Sequence, residues 1–298
     1  MAKKIKAKAT KEEEDLKVLE ESSIDEDKYD RQKRIAGWDQ SKIAKATVMI
    51  IGVGATGNEV AKNLALTGIG KLVLIDYDII EKSNLNRCVL FSLTDAKKNA
   101  FKVDVVEKAC NKLNPDTEIV SYKDNLDDID KKLYQDSDVV LSCLDNMEAR
   151  LQANNYSVYY QTPFVDSGID EFFGSVQAVY SPAGGACLQC GISNKDLDLM
   201  FQKFSCTGEE IESADGATVG KMATIITTTA IIGGLQTQQT LKFILGVDHY
   251  KKNGEWPANV GEPLIGKQLN YNGITNKFDI IEKLENPKCW TCSYKKKK

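Results

Sequence analysis

Ile51-Gly52-Val53-Gly54-Ala55-Thr56-Gly57 joins an apolar run to a helical pattern, and its reading decides the fold. The run at 46–51 is of β type, and a helix is predicted from about Asn58, so the glycines lie on a strand-turn-helix corner. Glycines there allow a tight turn and close backbone approach, and the helix N-terminus offers free amides to an anionic phosphate. The next β-type run, 71–75, leads into Asp76, about twenty residues on, where a carboxylate can accept hydrogen bonds from a ribose. Taken alone, the pattern fits any nucleotide-binding corner, including that of a dinucleotide oxidoreductase, or a glycine turn that only packs helix on strand.

Outward from this corner, β-type runs at 119–122 and 137–143 alternate with helices predicted from about Asp95 and Asn146. That order predicts an α/β fold, a doubly wound Rossmann-like sheet whose first half is parallel. After Thr162 the runs 164–167 and 175–180, separated by Gly174, predict a partly antiparallel second half. The apolar segment 222–245 carries threonines, glutamines and Lys242, costly in lipid, and reads as a buried helix of a soluble protein. The polar stretch 194–220 predicts a long loop or short helices. Residues 1–28 read as a mobile charged tail, 29–294 as one large domain, and the lysines at 295–298 as a second tail, solvated or a binding patch.

With 298 residues, 42% of them hydrophobic, the chain can bury a substantial core. A net charge of -4, from 39 basic and 43 acidic residues, predicts neither a nucleic-acid nor a membrane partner. No apolar stretch comes after the opening Met-Ala-Lys-Lys, so the expected location is the reducing cytoplasm, and the eight cysteines call for a role other than disulfides. Cys187-Leu188-Gln189-Cys190 and Cys289-Trp290-Thr291-Cys292 supply it: two C-x-x-C knuckles make the four-thiolate shell of a structural Zn²⁺ site, with a redox dithiol as the competing reading. The long separation of the knuckles predicts a staple across the fold. Cys110 and Cys143 read as buried core thiols, and Cys88 is undecided. Cys206 lies in the polar stretch beside Lys203, where it is either a nucleophile or a plain loop cysteine.

Which nucleotide the corner serves depends on the residues after Asp76. Asp78, then Ser83-Asn84-Leu85-Asn86-Arg87, then Lys102 on the next helix bring cations to a site where a triphosphate and its pyrophosphate leaving group need neutralising. The strand at 137–143 delivers Asp145-Asn146 to the carboxyl edge of the sheet, where a carboxylate is a natural Mg²⁺ ligand; Asp145 can also cap the next helix.

From Tyr29 to Cys292 these motifs, in this order, resemble the ubiquitin-activating-enzyme superfamily, which includes the bacterial adenylyltransferases that charge sulfur carriers. The texture is most similar to the enzyme that activates the ubiquitin-fold modifier, in Gly68-Ile69-Gly70-Lys71 with Asp76-Tyr77-Asp78, in Leu141-Ser142-Cys143-Leu144-Asp145-Asn146 with Glu148-Ala149-Arg150, and in Leu241-Lys242-Phe243. The resemblance implies ATP-dependent adenylation of the C-terminal glycine of a ubiquitin-like protein, then thioester formation, or else delivery of the adenylate to a sulfur donor for cofactor or tRNA thiolation. It implies Gly52, Gly54 and Gly57 in the phosphate turn, Asp76 on the ribose, Arg87 and Lys102 on the triphosphate, Asp145 on Mg²⁺, and Asn84, Asn125 and Asn146 around the nucleotide. Tyr29-Asp30-Arg31-Gln32 resembles the family's arginine motif, implying a homodimer in which Arg31 reaches the partner's ATP. One departure stands out. Counting back from Thr227 and Thr228, the family's catalytic cysteine falls at about Lys221, so either Cys206 or a partner such as a conjugating enzyme supplies the thiolate, or the chain stops at the acyl-adenylate.

Overall fold

The computed structural model describes residues 27–192 and 223–293. Eight strands form one sheet in the order β3-β2-β1-β4-β5-β6-β7-β8: β1 (Thr47–Ile51), β2 (Lys71–Ile75), β3 (Glu118–Tyr122), β4 (Val139–Ser142), β5 (Phe164–Asp170), β6 (Phe173–Val179), β7 (Lys267–Asn272) and β8 (Lys277–Glu282). The first five are parallel to their neighbours and β6 to β8 run antiparallel, so the parallel half and the antiparallel half both match the sequence reading.

Nine helices complete the described residues: α1 (Asp30–Lys33), α2 (Gln40–Ile43), α3 (Ala55–Thr67), α4 (Leu93–Lys97), α5 (Lys102–Leu113), α6 (Lys132–Gln135), α7 (Met147–Tyr160), α8 (Ile226–Asn253) and α9 (Trp290–Ser293). The central strands are buried on both faces, which is why their apolar runs do not alternate. Val48, Ile50, Leu72, Leu74, Val139 and Leu141 point into one core, under α3, α5 and α8. Met49, Ile51, Val73, Ile75 and Val140 point into the other, under α7 and the cysteine knuckles.

The chain steps from β1 outward through β2 to β3, then returns to lay β4 on the other side of β1. That reversal opens a crevice at the carboxyl ends of β1 and β4, where doubly wound sheets bind ligands.

Helix α8 is the buried helix foreseen at 222–245, extended to Asn253 and closed by left-handed Gly254. Its buried Thr237 and Thr240 are satisfied within the helix, their hydroxyls donating to the carbonyls of Gly233 and Gln236 at 2.7 and 2.9 Å. No helix among the described residues is long and apolar enough to cross a membrane.

Three local readings change. The helix predicted from Asp95 is two helices, broken where Asn99 takes φ 49°. Gly174 does not separate two strands but lies inside β6, because a Cβ there would come within 2.3 Å of Ile232 on α8. Strands β7 and β8 escaped the sequence reading: β7 is half-buried and largely polar and β8 exposed along its length, so neither carries the apolar run that marks the central strands.

Candidate active site

A cavity of about 1750 Å³ opens at the β1/β4 crevice. Its floor is the glycine turn. Gly52 has φ 83°, and a Cβ there would lie 2.7 Å from the carbonyl oxygen of Cys143. A Cβ on Gly57 would come within 2.1 Å of the carbonyl oxygen of Gly52, so this glycine closes the turn and is not among the cavity's lining residues. Gly54 differs from both. It is the N-cap of α3, it lines the cavity, and nothing lies within 4 Å of a Cβ built on it. The open space sits directly over the free amides of the helix, as an anion site requires.

Asp76 is tied into this floor. Its carboxylate accepts from the amide of Val53 at 2.8 Å and from that of Asp78 at 2.9 Å. Burial raises its pKa above the ordinary carboxylate value, against the pull of Lys102 and the two amides. Lys102, the first residue of α5, puts its Nζ 2.5 Å from Asp78. Burial disfavours the ammonium, but Asp76 and the hydrogen-bonded Asp78 outweigh it and hold the pKa above that of an ordinary lysine. Arg87 comes after a short 3-10 turn, Lys82–Asn84, and donates from Nη1 to the carbonyl of Ser83 at 2.7 Å and to Asn86 at 3.0 Å. Arg87 and Lys102 therefore both line the cavity, each with a nitrogen already held by a protein acceptor.

Asp145 leaves the end of β4 exposed at the cavity wall. The cap on α7 is made by its neighbour, since the Asn146 side chain accepts from the amide of Ala149 at 2.8 Å. An exposed carboxylate over the phosphate corner suits a hydrated Mg²⁺, which keeps several waters. Asn84 and Asn125 line the same cavity, although Asn84 also caps its own turn by accepting from the amide of Glu81 at 2.9 Å. Arg31, on exposed α1, is not among the lining residues. Cys206 and Lys221 lie outside the described residues.

Two features of the site went unread in the sequence. Arg150, on the first turn of α7, makes a bidentate pair with Asp166 of β5, Nε to Oδ1 at 2.9 Å and Nη2 to Oδ2 at 2.5 Å, with both side chains largely buried. Gln236 of α8 is fully buried and hydrogen-bonds the end of β4 and the adjacent part of β5 from the other face. For Gln236 the one signal in the sequence was the polar run 236–240 within a helix read as buried.

The four knuckle cysteines converge. Sγ separations are 3.9 Å for Cys187 and Cys190, 3.7 Å for Cys187 and Cys289, and 3.6 Å for Cys190 and Cys292, and all four sulfurs lie within 4.8 Å of one another. A tetrahedral Zn²⁺ about 2.3 Å from each thiolate sets the sulfurs roughly 3.8 Å apart, so the donor set fits that ion. The cluster rests on α7: the amide of Leu188 donates to Asn154 at 3.1 Å and the hydroxyl of Thr291 to Asn155 at 2.6 Å. Of the other thiols, Cys110 and Cys88 are buried and burial pushes them up to about 12 and about 11, so neither is a nucleophile at neutral pH. Cys143 is only partly buried, at the cavity wall, and its thiol too is pushed up by burial.

A switch-point crevice with an open helix N-terminus, an acidic strand end and paired cations defines a nucleotide-binding α/β domain of Rossmann type. The chain belongs to the ThiF family, whose model matches residues 29–291. It is 29% identical over 269 residues to the molybdopterin-synthase adenylyltransferase of Escherichia coli K12, covering 89% of this chain and 95% of that protein. It is 29% identical over 266 residues to ubiquitin-like modifier-activating enzyme 5 of Drosophila ananassae, covering 83% of this chain but 59% of the relative. Its fold matches the crystal structure of E. coli MccB with ATP at a TM-score of 0.70 and 23% identity, over 91% of this chain and 75% of that one.

Proposed function

We propose that this chain uses ATP to adenylate the C-terminal glycine carboxylate of a small ubiquitin-like or sulfur-carrier protein. The observation that carries the reading is the meeting, in one cavity, of the open amides at Gly54, the tethered carboxylate of Asp76, the cations Arg87 and Lys102, and the exposed Asp145. The names of the ThiF-family relatives, an adenylyltransferase and a modifier-activating enzyme, support the same chemistry.

In this reading Asp76 receives the ribose hydroxyls and the α3 amides receive phosphate oxygens. Lys102 turns from Asp78, and Arg87 from Ser83, to the triphosphate, exchanging one set of acceptors for another. Asn84, Asn125 and Asn146 border the nucleotide, and Arg31 of a second protomer adds positive charge, which makes the working form a homodimer. Mg²⁺ held by Asp145 would offset the charge that develops on the departing pyrophosphate. The ionised glycine carboxylate attacks the α-phosphorus; the new O–P bond forms as the bond to pyrophosphate breaks, giving an acyl-adenylate. The nucleophile is already deprotonated, so catalysis rests on placement and charge stabilisation, with no general base. A thiolate, Cys206 or one on a conjugating enzyme, then displaces AMP to give a thioester. The zinc staple supports the fold and takes no part in the reaction.

A second reading shares the first half-reaction and sends the adenylate to a sulfur donor. It is favoured by the match along 95% of the E. coli molybdopterin-synthase adenylyltransferase. Both are tested by exchange of labelled pyrophosphate into ATP, driven by purified ubiquitin-fold proteins that end in glycine, with the wild type and Asp145→Ala. Exchange that persists in Asp145→Ala would sink the Mg²⁺ assignment, and absence of carrier-dependent exchange in the wild type would sink adenylation. Cys206→Ala separates the second steps: loss of a reducible carrier adduct, with exchange intact, assigns the thioester to Cys206.

A further inference from the structure

Gln236 is placed unlike any other residue of α8. It is fully buried, and each end of its amide is used twice. Nε2 donates to the carbonyl of Ser142 at 2.9 Å and to that of Val165 at 3.0 Å, while Oε1 accepts from the hydroxyl of Ser167 at 2.9 Å and faces the thiol of Cys143 at 3.4 Å. The four partners lie at the carboxyl end of β4 and in the first half of β5 beside it. The ladder between these strands stops at the pair Ser142 and Asp166, so the amide bridges the two strands where their own hydrogen bonds end. A buried amide is costly unless fully satisfied, and an apolar side chain would fill the volume without that demand.

From this point the geometry leads into the active site. Cys143 donates its amide to Ile51 at 2.8 Å, so residues 142 and 143 set the start of the segment that carries Asp145, while the phosphate turn has its own anchors, the amide of Gly52 on Ile75 at 2.9 Å and that of Val53 on Asp76 at 2.8 Å. Asp145 lies two residues further on. On the opposite face of the sheet the Arg150 and Asp166 pair holds β5, so the strand ends are clamped from both sides.

We propose that Gln236 is a positioning residue for the nucleotide-bound metal: by fixing Ser142 and Cys143 from beneath, it holds Asp145 in register with the phosphate turn. The inference rests on the assignment of Asp145 as the Mg²⁺ ligand. Gln236 touches neither the ribose carboxylate nor the amides of α3, so its loss should spare metal-free ATP binding and weaken only the part that depends on Mg²⁺.

The test is calorimetric titration of ATP, in EDTA and in excess Mg²⁺, into the full chain as wild type, Asp145→Ala, Gln236→Met and Gln236→Glu, with near-ultraviolet circular dichroism as the check of folding. The wild type should bind ATP more tightly with Mg²⁺, and Asp145→Ala should lose that gain. Gln236→Met should keep its EDTA affinity within about twofold and lose roughly tenfold of the Mg²⁺-dependent gain, as mutations behind a metal ligand do. Gln236→Glu serves if the Met variant fails to fold. Buried against two carbonyl oxygens, its carboxyl stays protonated and offers one donor in place of two, so the gain should fall short of that of the wild type. A folded Gln236 variant with the full gain overturns the inference. A wild type without any gain, or Asp145→Ala with all of it, overturns the Asp145 assignment and the inference with it.

Discussion

The carboxylate of Asp76 accepts a hydrogen bond from the backbone amide of Val53 at 2.8 Å, joining the end of β2 to the glycine turn after β1. The acidic residue and the phosphate corner are therefore one unit, and the three glycines of the corner do different work within it.

Gly57→Ala and Gly54→Ala should separate folding from binding. The first puts a Cβ 2.1 Å from the Gly52 carbonyl and must displace backbone, a cost expected at ~3 kcal/mol or more. The second has open space around its Cβ and should fold with a far smaller loss, yet place a methyl where the phosphate approaches and weaken ATP at least about tenfold. Thermal melts and ATP titrations of the two variants check both halves.

The Lys102 pair should show in the alkaline limb of stability. Its pKa is raised in the folded chain, so the stabilisation is complete below the unfolded value of about 10.4 and fades as pH rises through the higher folded value. The stability difference between wild type and Lys102→Met, about 1–2 kcal/mol from a charged hydrogen bond, should stay constant from about pH 7 to 9.5 and shrink above about 10.5. Urea unfolding at stepped pH measures it, and a difference that grows with pH refutes the pairing.

Arg150→Met should be among the most damaging single changes near the site. It leaves the Asp166 carboxylate, with 2% side-chain exposure, without its counter-ion, at an expected cost of ~3–5 kcal/mol. Replacing both members, Arg150→Met with Asp166→Leu, should recover a large part of that loss in denaturant melts, because no buried charge is then left alone.

The cysteine cluster should hold one zinc per chain by elemental analysis. Cys187 and Cys289 are both buried and 102 residues apart, so Cys289→Ser or a strong chelator should release the end of the described chain from α7 and lower the melting temperature by about 10 °C or more. Equal melting temperatures with and without bound metal would show that packing alone holds the knuckles.

The parts of this molecule that could be read from the chain are those whose chemistry is local. The glycine turn, Asp76 at the end of its strand and each C-x-x-C knuckle are short segments in which a few bonds dictate the shape, and the alternation of runs and helices implied the parallel half of the sheet. Polar β7 and exposed β8 have no such signature and join the sheet through pairing with β6.

What folding alone decided are the contacts between distant segments. Gln236 meets Ser167 and Ser142 across 69 and 94 residues, and in the linear chain it is only one of several glutamines and threonines in a helix read as buried. Gly174 looks like a break until Ile232 packs against it, and Arg150, in the linear chain only part of a family-like stretch, gains its role when Asp166 arrives opposite. Local segments write their geometry in adjacent residues, because neighbours along the chain are already held together by covalent bonds. Whether a buried amide is a defect or a clamp depends on which carbonyls the fold brings within hydrogen-bond reach, and that is settled only when α8 lies across the end of β4 and the first half of β5.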